Sequence, residues 1–216
     1  MKIAGIDENG RGSIIGPLVI TCFIITEKEL EKLKELGVKD SKKLDKEKRE
    51  KLFEILKKFE FYYEFILPNE IDYNLLSKKN SLNELEAIYM AKLINSTDAQ
   101  KYFIDSPSNP KNFYKKLNKY LKREVEIVLE NKLDEKNLVV AAASIIGKVI
   151  RDREIEKIKE EIKEEIGSGY PGDKKTLDFI KKAIKEKRDF DFIRKSWITY
   201  LEEKKKIKIK KLTDFL

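Results

Sequence analysis

The first twenty-six residues constrain the fold more than any other stretch. Ile3 to Ile6 is a short apolar run that reads as a strand entering a core. It stops at two adjacent acids, Asp7 and Glu8, and a turn follows with a glycine on each side of Arg11. Ile14 to Thr26 then reads as a second, longer strand. Two carboxylates thus stand at the end of a buried strand, beside a loop whose glycines let backbone approach a ligand closely. Such a pairing suits hard divalent cations, which take oxygen ligands, next to a phosphate-bearing substrate. On these residues alone, an ordinary hairpin with a solvated acidic turn is an equal alternative.

Composition narrows the chemistry. Histidine is absent and Cys22 is the only cysteine. Zinc sites of the usual ligand types are excluded, as is catalysis by a Ser–His or Cys–His pair. Any metal must be held by carboxylates. Cys22 cannot pair within the chain and reads as a small buried hydrophobe in a reducing interior. The 216 residues suffice for one domain or a domain with a small appendage, and 41% hydrophobic content can fill a core. The formal net charge of +8 favours polyanionic partners, nucleic acid first. With no apolar run of membrane-spanning length and no signal pattern at the N-terminus, the expected location is the cytoplasm.

Along the chain, Thr26 can cap a helix reaching Leu36 and closed by Gly37. Asp45 can cap another, and Phe59 to Leu67 alternates as a third strand closed by Pro68. Ser81-Leu82-Asn83-Glu84 has the form of a capping box. Tyr102-Phe103-Ile104 is a fourth strand ending at Asp105, and a helix from about 110 to 121 leads to a fifth, Val125 to Leu129. Leu138 to about Ile166 reads as one long helix, buried in its first half and carrying a stripe of Ile155, Ile158, Ile162 and Ile166 in its second. A glycine-rich break at 167–173 precedes two more helices, expected around 174–187 and 190–204, and a basic tail. The order predicts an α/β fold, a mixed five-stranded sheet flanked by helices with a C-terminal helical extension. Residues 1–166 are expected to form the catalytic domain. Residues 167–216 are expected to form a helical region with a basic tail, packed on the same domain.

If strands one, four and five are parallel neighbours, Asp7, Glu8, Asp105 and Asp134 converge. Four carboxylates together repel one another strongly. Two divalent cations about 4 Å apart would make the cluster tolerable, activate a water and stabilise the leaving oxygen of an in-line phosphoryl displacement.

These motifs resemble the ribonuclease HII family, in its archaeal form, over nearly the whole chain. Asp7-Glu8-Asn9-Gly10-Arg11-Gly12 resembles its Asp-Glu-Ala-Gly-Arg-Gly signature, with Asn9 in place of alanine. Lys39-Asp40-Ser41-Lys42-Lys43-Leu44 resembles its Asp-Ser-Lys loop. Asp105-Ser106-Pro107 holds the third acid, and the stretches 142–152 and 167–173 resemble two further blocks. Asp134 stands where the fourth acid is expected, in the context Asn131-Lys132-Leu133-Asp134 rather than His-Lys-Ala-Asp, with Glu135 adjacent as a competitor. Gly147 replaces a residue that is usually alanine.

The resemblance implies an RNase H-like fold and an endonuclease dependent on Mg²⁺ or Mn²⁺. It would cut the RNA strand of RNA–DNA hybrids and single ribonucleotides within duplex DNA, as in replication and ribonucleotide excision repair. The cut would fall 5′ to the ribonucleotide and leave 3′-hydroxyl and 5′-phosphate ends. Asp7, Glu8, Asp105 and Asp134 would be the catalytic and metal-binding residues. Gly10, Arg11 and Gly12 would face the ribose 2′-OH, joined by Tyr170. Ser41, Lys42, Lys43, Ser144 and Lys148 are candidates for phosphate contacts. The last residues, 209–216, resemble a sliding-clamp-binding peptide at Leu212 and Phe215 but lack its leading glutamine. A monomer is the default state. Two rival readings remain: a carboxylate-dependent nuclease acting on another nucleic acid, and an inactive hybrid-binding protein.

Overall fold

The computed structural model describes residues 1–38 and 44–213. Among them are five strands and eight α-helices. The chain divides into two compact units, one of residues 1–9, 19–66 and 80–150, the other of residues 10–18, 67–79 and 151–216. No helix among the described residues is long and apolar enough to cross a membrane.

The first unit is built on a mixed sheet of β1 (Lys2–Asn9), β2 (Leu18–Thr26), β3 (Glu60–Ile66), β4 (Lys101–Asp105) and β5 (Glu126–Glu130). Its strand order is β3-β2-β1-β4-β5. β1 runs antiparallel to β2 and parallel to β4, and β4 runs parallel to β5. The first, fourth and fifth strands are therefore parallel neighbours, the condition on which the convergence of the acids depended. β2 is buried at every position from Leu18 to Ile25, which explains its unbroken apolar run. Cys22 lies within it, fully buried, and burial pushes its thiol up to about 12.

Helices α1 (Leu30–Glu35), α2 (Lys46–Leu56), α4 (Leu82–Ser96), α5 (Pro110–Leu117) and the first half of α6 (Leu138–Ile162) surround this sheet. Side chains from α1, α2 and α6 join Ile3, Phe23 and Ile25 in one core cluster. α6 lies unusually close to β1. A Cβ built on Gly5 would stand 2.3 Å from the Val139 carbonyl carbon and 2.4 Å from the Val140 nitrogen. Only glycine in the strand permits that approach.

The second unit holds α3 (Pro68–Leu76), the rest of α6, α7 (Lys174–Lys185) and α8 (Ile198–Thr213). Its core gathers Ile14, Ile15, Ile155, Ile166, Phe179, Ile180, Ala183 and Ile193, with Phe190 and Phe192 packed against it.

Several boundaries differ from the sequence reading. The second strand begins at Leu18, not Ile14, because Gly16 takes a φ of +84° and Pro17 follows it. Ile14 and Ile15 join the second unit's core instead, and Ile15 bridges Ile193. Pro68 closes β3 but also opens α3 at its first turn, where its missing N–H costs nothing. α5 stops at Leu117 rather than Leu121. α6 ends at Ile162, where Lys163 turns left-handed with a φ of 54°. The last helix starts at Ile198 rather than at 190. The preceding residues are held by stacked Phe190 and Phe192 rings and by fully buried Arg194. The capping box at Ser81 is half formed. Ser81 accepts the Glu84 N–H, but the Glu84 carboxylate turns to Lys116 and Tyr120.

Candidate active site

The C-terminal parts of β1 and β4 position the acids. Ile6 pairs with Ile104, and the next residues along β1 and β4 are Asp7 and Asp105. Parallel strands deliver both acids to the same edge of the sheet, where open α/β sheets place their ligands. Asp105 is in register with Glu130, the last residue of β5. Just beyond, Lys132 takes the left-handed conformation at φ 57° and opens a 3-10 turn, Leu133–Glu135. This turn aims the backbone N–H groups of Lys132 and Leu133 at the Asp105 carboxylate and brings Asp134 into hydrogen-bond contact with it. Asn131 secures the arrangement by donating to the carbonyls of Ser106 and Ser108, both at 2.8 Å. Asp134 is buried while Glu135 is exposed, so Asp134 is the acid that faces inward.

Asp7, Glu8, Asn9, Asp105 and Asp134 line one cavity of about 240 Å³ with Arg49, Ser144, Ile145 and Lys148. Asp7 is 5% exposed. Burial pushes its carboxyl up to about 7, helped by the charges of Asp105 and Asp134 and opposed by a hydrogen bond from Ser144. Burial likewise pushes Asp105 up to about 6, helped by the charge of Asp134 and the hydrogen bond they share. Two carboxyls sharing a hydrogen bond need a proton between them, or a cation in its place.

Among the described residues, no three Asp, Glu, Cys or His side chains stand as a ready-made metal cage. The donor chemistry nevertheless fits Mg²⁺ or Mn²⁺. Such hard ions are held through one or two carboxylates, waters and substrate phosphates rather than by an all-protein cage. The raised protonation of Asp7 and Asp105 is the electrostatic demand that a cation would meet.

Of the other residues singled out from sequence, Ser144 and Lys148 line this cavity one helical turn apart on α6. Ser144 makes a hydrogen bond to Asp7, a contact the sequence did not suggest. Ser41, Lys42 and Lys43 lie outside the described residues. Arg49, on α2, also lines the cavity and was missed. In a chain this rich in basic residues, nothing local marks one cation as inward-facing.

Gly10, Arg11, Gly12 and Tyr170 belong to the second unit. There the turn after Asn9 is tied down by two arginines that were also missed. Arg194 donates to the Arg11 carbonyl at 3.0 Å and twice to the Gly16 carbonyl. Arg151, only 3% exposed, donates to Ser13 Oγ at 2.8 Å and to the Ser168 carbonyl at 3.0 Å. Its guanidinium lies 4.4 Å from the centre of the Tyr170 ring. The Gly169 carbonyl accepts from the backbone of Ile14 and Ile15, so the Gly10–Gly16 and Gly167–Gly172 loops are bound into one substructure.

Comparison with known proteins agrees with this geometry. The family model described as Ribonuclease HII matches residues 4–200. The chain is 47% identical over 219 residues to the ribonuclease HII of Nanoarchaeum equitans, covering 100% of both chains. Its fold is similar to that of the ribonuclease H2 from Pyrococcus horikoshii OT3, with a TM-score of 0.86, 42% identity, and 96% of this chain and 99% of that one covered. It is also similar to the ribonuclease HII in a PCNA:RNase HII complex from Archaeoglobus fulgidus. There the TM-score is 0.83 at 36% identity, covering 91% of this chain and 95% of that one. With the fold, the family model and full-length relatives in agreement, the chain belongs to the ribonuclease HII family.

Proposed function

We propose that this chain cuts the RNA strand of RNA–DNA hybrids and single ribonucleotides embedded in duplex DNA, 5′ to the ribonucleotide, leaving 3′-hydroxyl and 5′-phosphate ends. As a member of its family it is a metal-dependent ribonuclease H. The convergence of Asp7, Glu8, Asp105 and Asp134 in one cavity supports the finer reading most directly. Asp7, Glu8, Asp105 and Asp134 would hold Mg²⁺ or Mn²⁺, which would supply an activated water and charge stabilisation for phosphodiester hydrolysis. Ser144 orients the Asp7 carboxylate, and the N–H groups after β5 orient Asp105. Lys148 and Arg49 bring positive charge to the same cavity, suited to a scissile phosphate.

Ribose recognition falls to Gly10, Arg11 and Gly12, whose backbone follows directly on Glu8 and Asn9, and to Tyr170, which is 39% exposed and backed by Arg151. Ser41, Lys42 and Lys43 add phosphate contacts that position the duplex without reading sequence. In this reading residues 1–166 carry the chemistry and 167–216 contribute substrate binding. The enzyme works as a cytoplasmic monomer. Residues 209–216 dock on a sliding clamp, a reading favoured by the relative from Archaeoglobus fulgidus in its PCNA complex.

The test is incubation of a labelled RNA–DNA hybrid and an all-DNA duplex with Mg²⁺ or EDTA, using wild type and Asp7→Asn. Metal-dependent cutting of the hybrid alone, absent in the variant, is expected. Equal cutting of both duplexes would replace this reading with that of a general nuclease.

A further inference from the structure

Asn9 lines the acidic cavity, yet the chemistry proposed above gives it no part. It lies on the same face of β1 as Gly5 and Asp7, since side chains alternate along a strand. α6 runs along that face in step. Gly5 lies against Val139 and Val140, Asp7 accepts from Ser144, and Asn9 lies against Gly147. Four strand residues advance about 13 Å and eight helical residues about 12 Å, so the three contacts keep one register.

The third contact depends on glycine. A Cβ at position 147 would fall 2.2 Å from Asn9 Oδ1, 3.2 Å from Asn9 Cγ and 2.6 Å from Thr21 Oγ1. Thr21 is the residue of β2 directly opposite Asp7. The Asn9 carboxamide therefore occupies the volume that a methyl on α6 would fill, wedged toward Thr21. Its Oδ1 is buried, and among the described residues it finds no hydrogen-bond partner. Burying a polar oxygen in this way costs stability. A side chain kept there at such a cost, beside two acids, points to a part in the site rather than in the core.

We propose that Asn9 is a positioning residue for the acidic site, and that Asn9 and Gly147 are mutually dependent. With Asp7 fixed by Ser144 and Asn9 fixed over Gly147, Glu8 is held between two anchored neighbours. The resemblance to the ribonuclease HII family puts alanine at both positions, where this chain has Asn9 and Gly147.

The inference rests on the reading of Asp7 and Glu8 as metal-binding acids, and its test separates the two. Mn²⁺ binding by calorimetry, thermal midpoint, and kcat and KM on a ribonucleotide-containing duplex are measured for wild type, Asn9→Ala, Gly147→Ala and the double variant. Asn9→Ala should weaken Mn²⁺ binding about 10-fold and lower kcat, with KM and the thermal midpoint little changed. Gly147→Ala should expel the carboxamide and weaken Mn²⁺ binding at least as much. In the double variant the new methyl fills the space, and Mn²⁺ affinity should return to within about threefold of wild type, a non-additive result. Additive losses in the double variant, or an Asn9→Ala protein that binds Mn²⁺ like wild type, would overturn the proposal. Wild type that binds no Mn²⁺ would instead defeat the underlying reading of the acids.

Discussion

Asp7 carries a heavy electrostatic burden in the site. An unfolded Asp loses its proton near pH 4, whereas burial and two neighbouring acids hold folded Asp7 protonated to about pH 7. Between those values folding takes up a proton, so the metal-free protein loses stability as pH rises through that window. For the interacting Asp7 and Asp105 together the contribution is on the order of a few kcal/mol, with one sign for both. Thermal unfolding in EDTA should therefore show a midpoint that falls between pH 5 and pH 8. Asp7→Asn should flatten that fall and be the more stable protein at pH 8, while being inactive. Mg²⁺ should raise the wild-type midpoint more at pH 8 than at pH 5.5, because the acids it binds are then ionised. A midpoint that does not vary with pH in EDTA would contradict the buried cluster.

Arg151 offers a second test at this scale. Arg151→Met removes the donor to Ser13 and Ser168 and the charge under Tyr170. It should reduce preference for ribonucleotide over all-DNA substrate by about tenfold, mainly through KM. Asp7, Glu8 and Asp105 stood out in the sequence because they follow directly on apolar runs, although β1 continues past its acids to Asn9. Arg49, Arg151 and Arg194 did not. Their inward direction is set by the packing of distant segments, which a run of basic residues does not reveal.

Among the elements, the contact of β1 with α6 carries the most consequence. Gly5→Ala would press a methyl into the backbone of Val139 and Val140, and backbone at the start of a buried helix cannot step aside. We expect a loss of about 3 kcal/mol or more in denaturant unfolding, with activity falling as α6 and Ser144 shift away from Asp7. Removal of the cap at Asp45, whose side chain accepts the Lys48 N–H at 2.8 Å, should cost only about 1 kcal/mol and leave activity intact. The caps at Thr26 and Asp45 and the buried half of α6 were readable because each is a local pattern. The stretch 190–197 was misread as helix. What holds it is non-local: the Arg194 guanidinium on the Gly16 carbonyl and the Asp72 carboxylate accepting the N–H groups of Lys195 and Ser196. Of the two adjacent acids, the resemblance favoured Asp134 by its spacing to Val139 and left Glu135 as a competitor. Burial decides for Asp134, because the left-handed Lys132 turns it inward and leaves Glu135 in solvent.

For the whole molecule, a net charge of +8 on a ligand as highly charged as a duplex makes salt a direct probe. Hybrid binding should weaken steeply between 50 and 200 mM salt, roughly 10- to 1000-fold, with little dependence on sequence. The mixed sheet was legible because two hairpin-capable strands precede a β-α-β stretch that can be parallel, whereas the strand order comes from the structure. The division into two compact units was not, since it gathers residues 10–18, 67–79 and 151–216 from three separated segments. The acids gathered around Asp7 and Asp105 are proposed to cut beside a 2′-hydroxyl. The most direct measurement is to map the products from a DNA duplex carrying one ribonucleotide, with Mg²⁺, beside the same duplex in all-DNA form. A single cut 5′ to the ribonucleotide, leaving a 3′-hydroxyl, and an untouched all-DNA duplex are the predicted result. Cuts scattered along both duplexes, or a cut that persists in EDTA, would contradict the account.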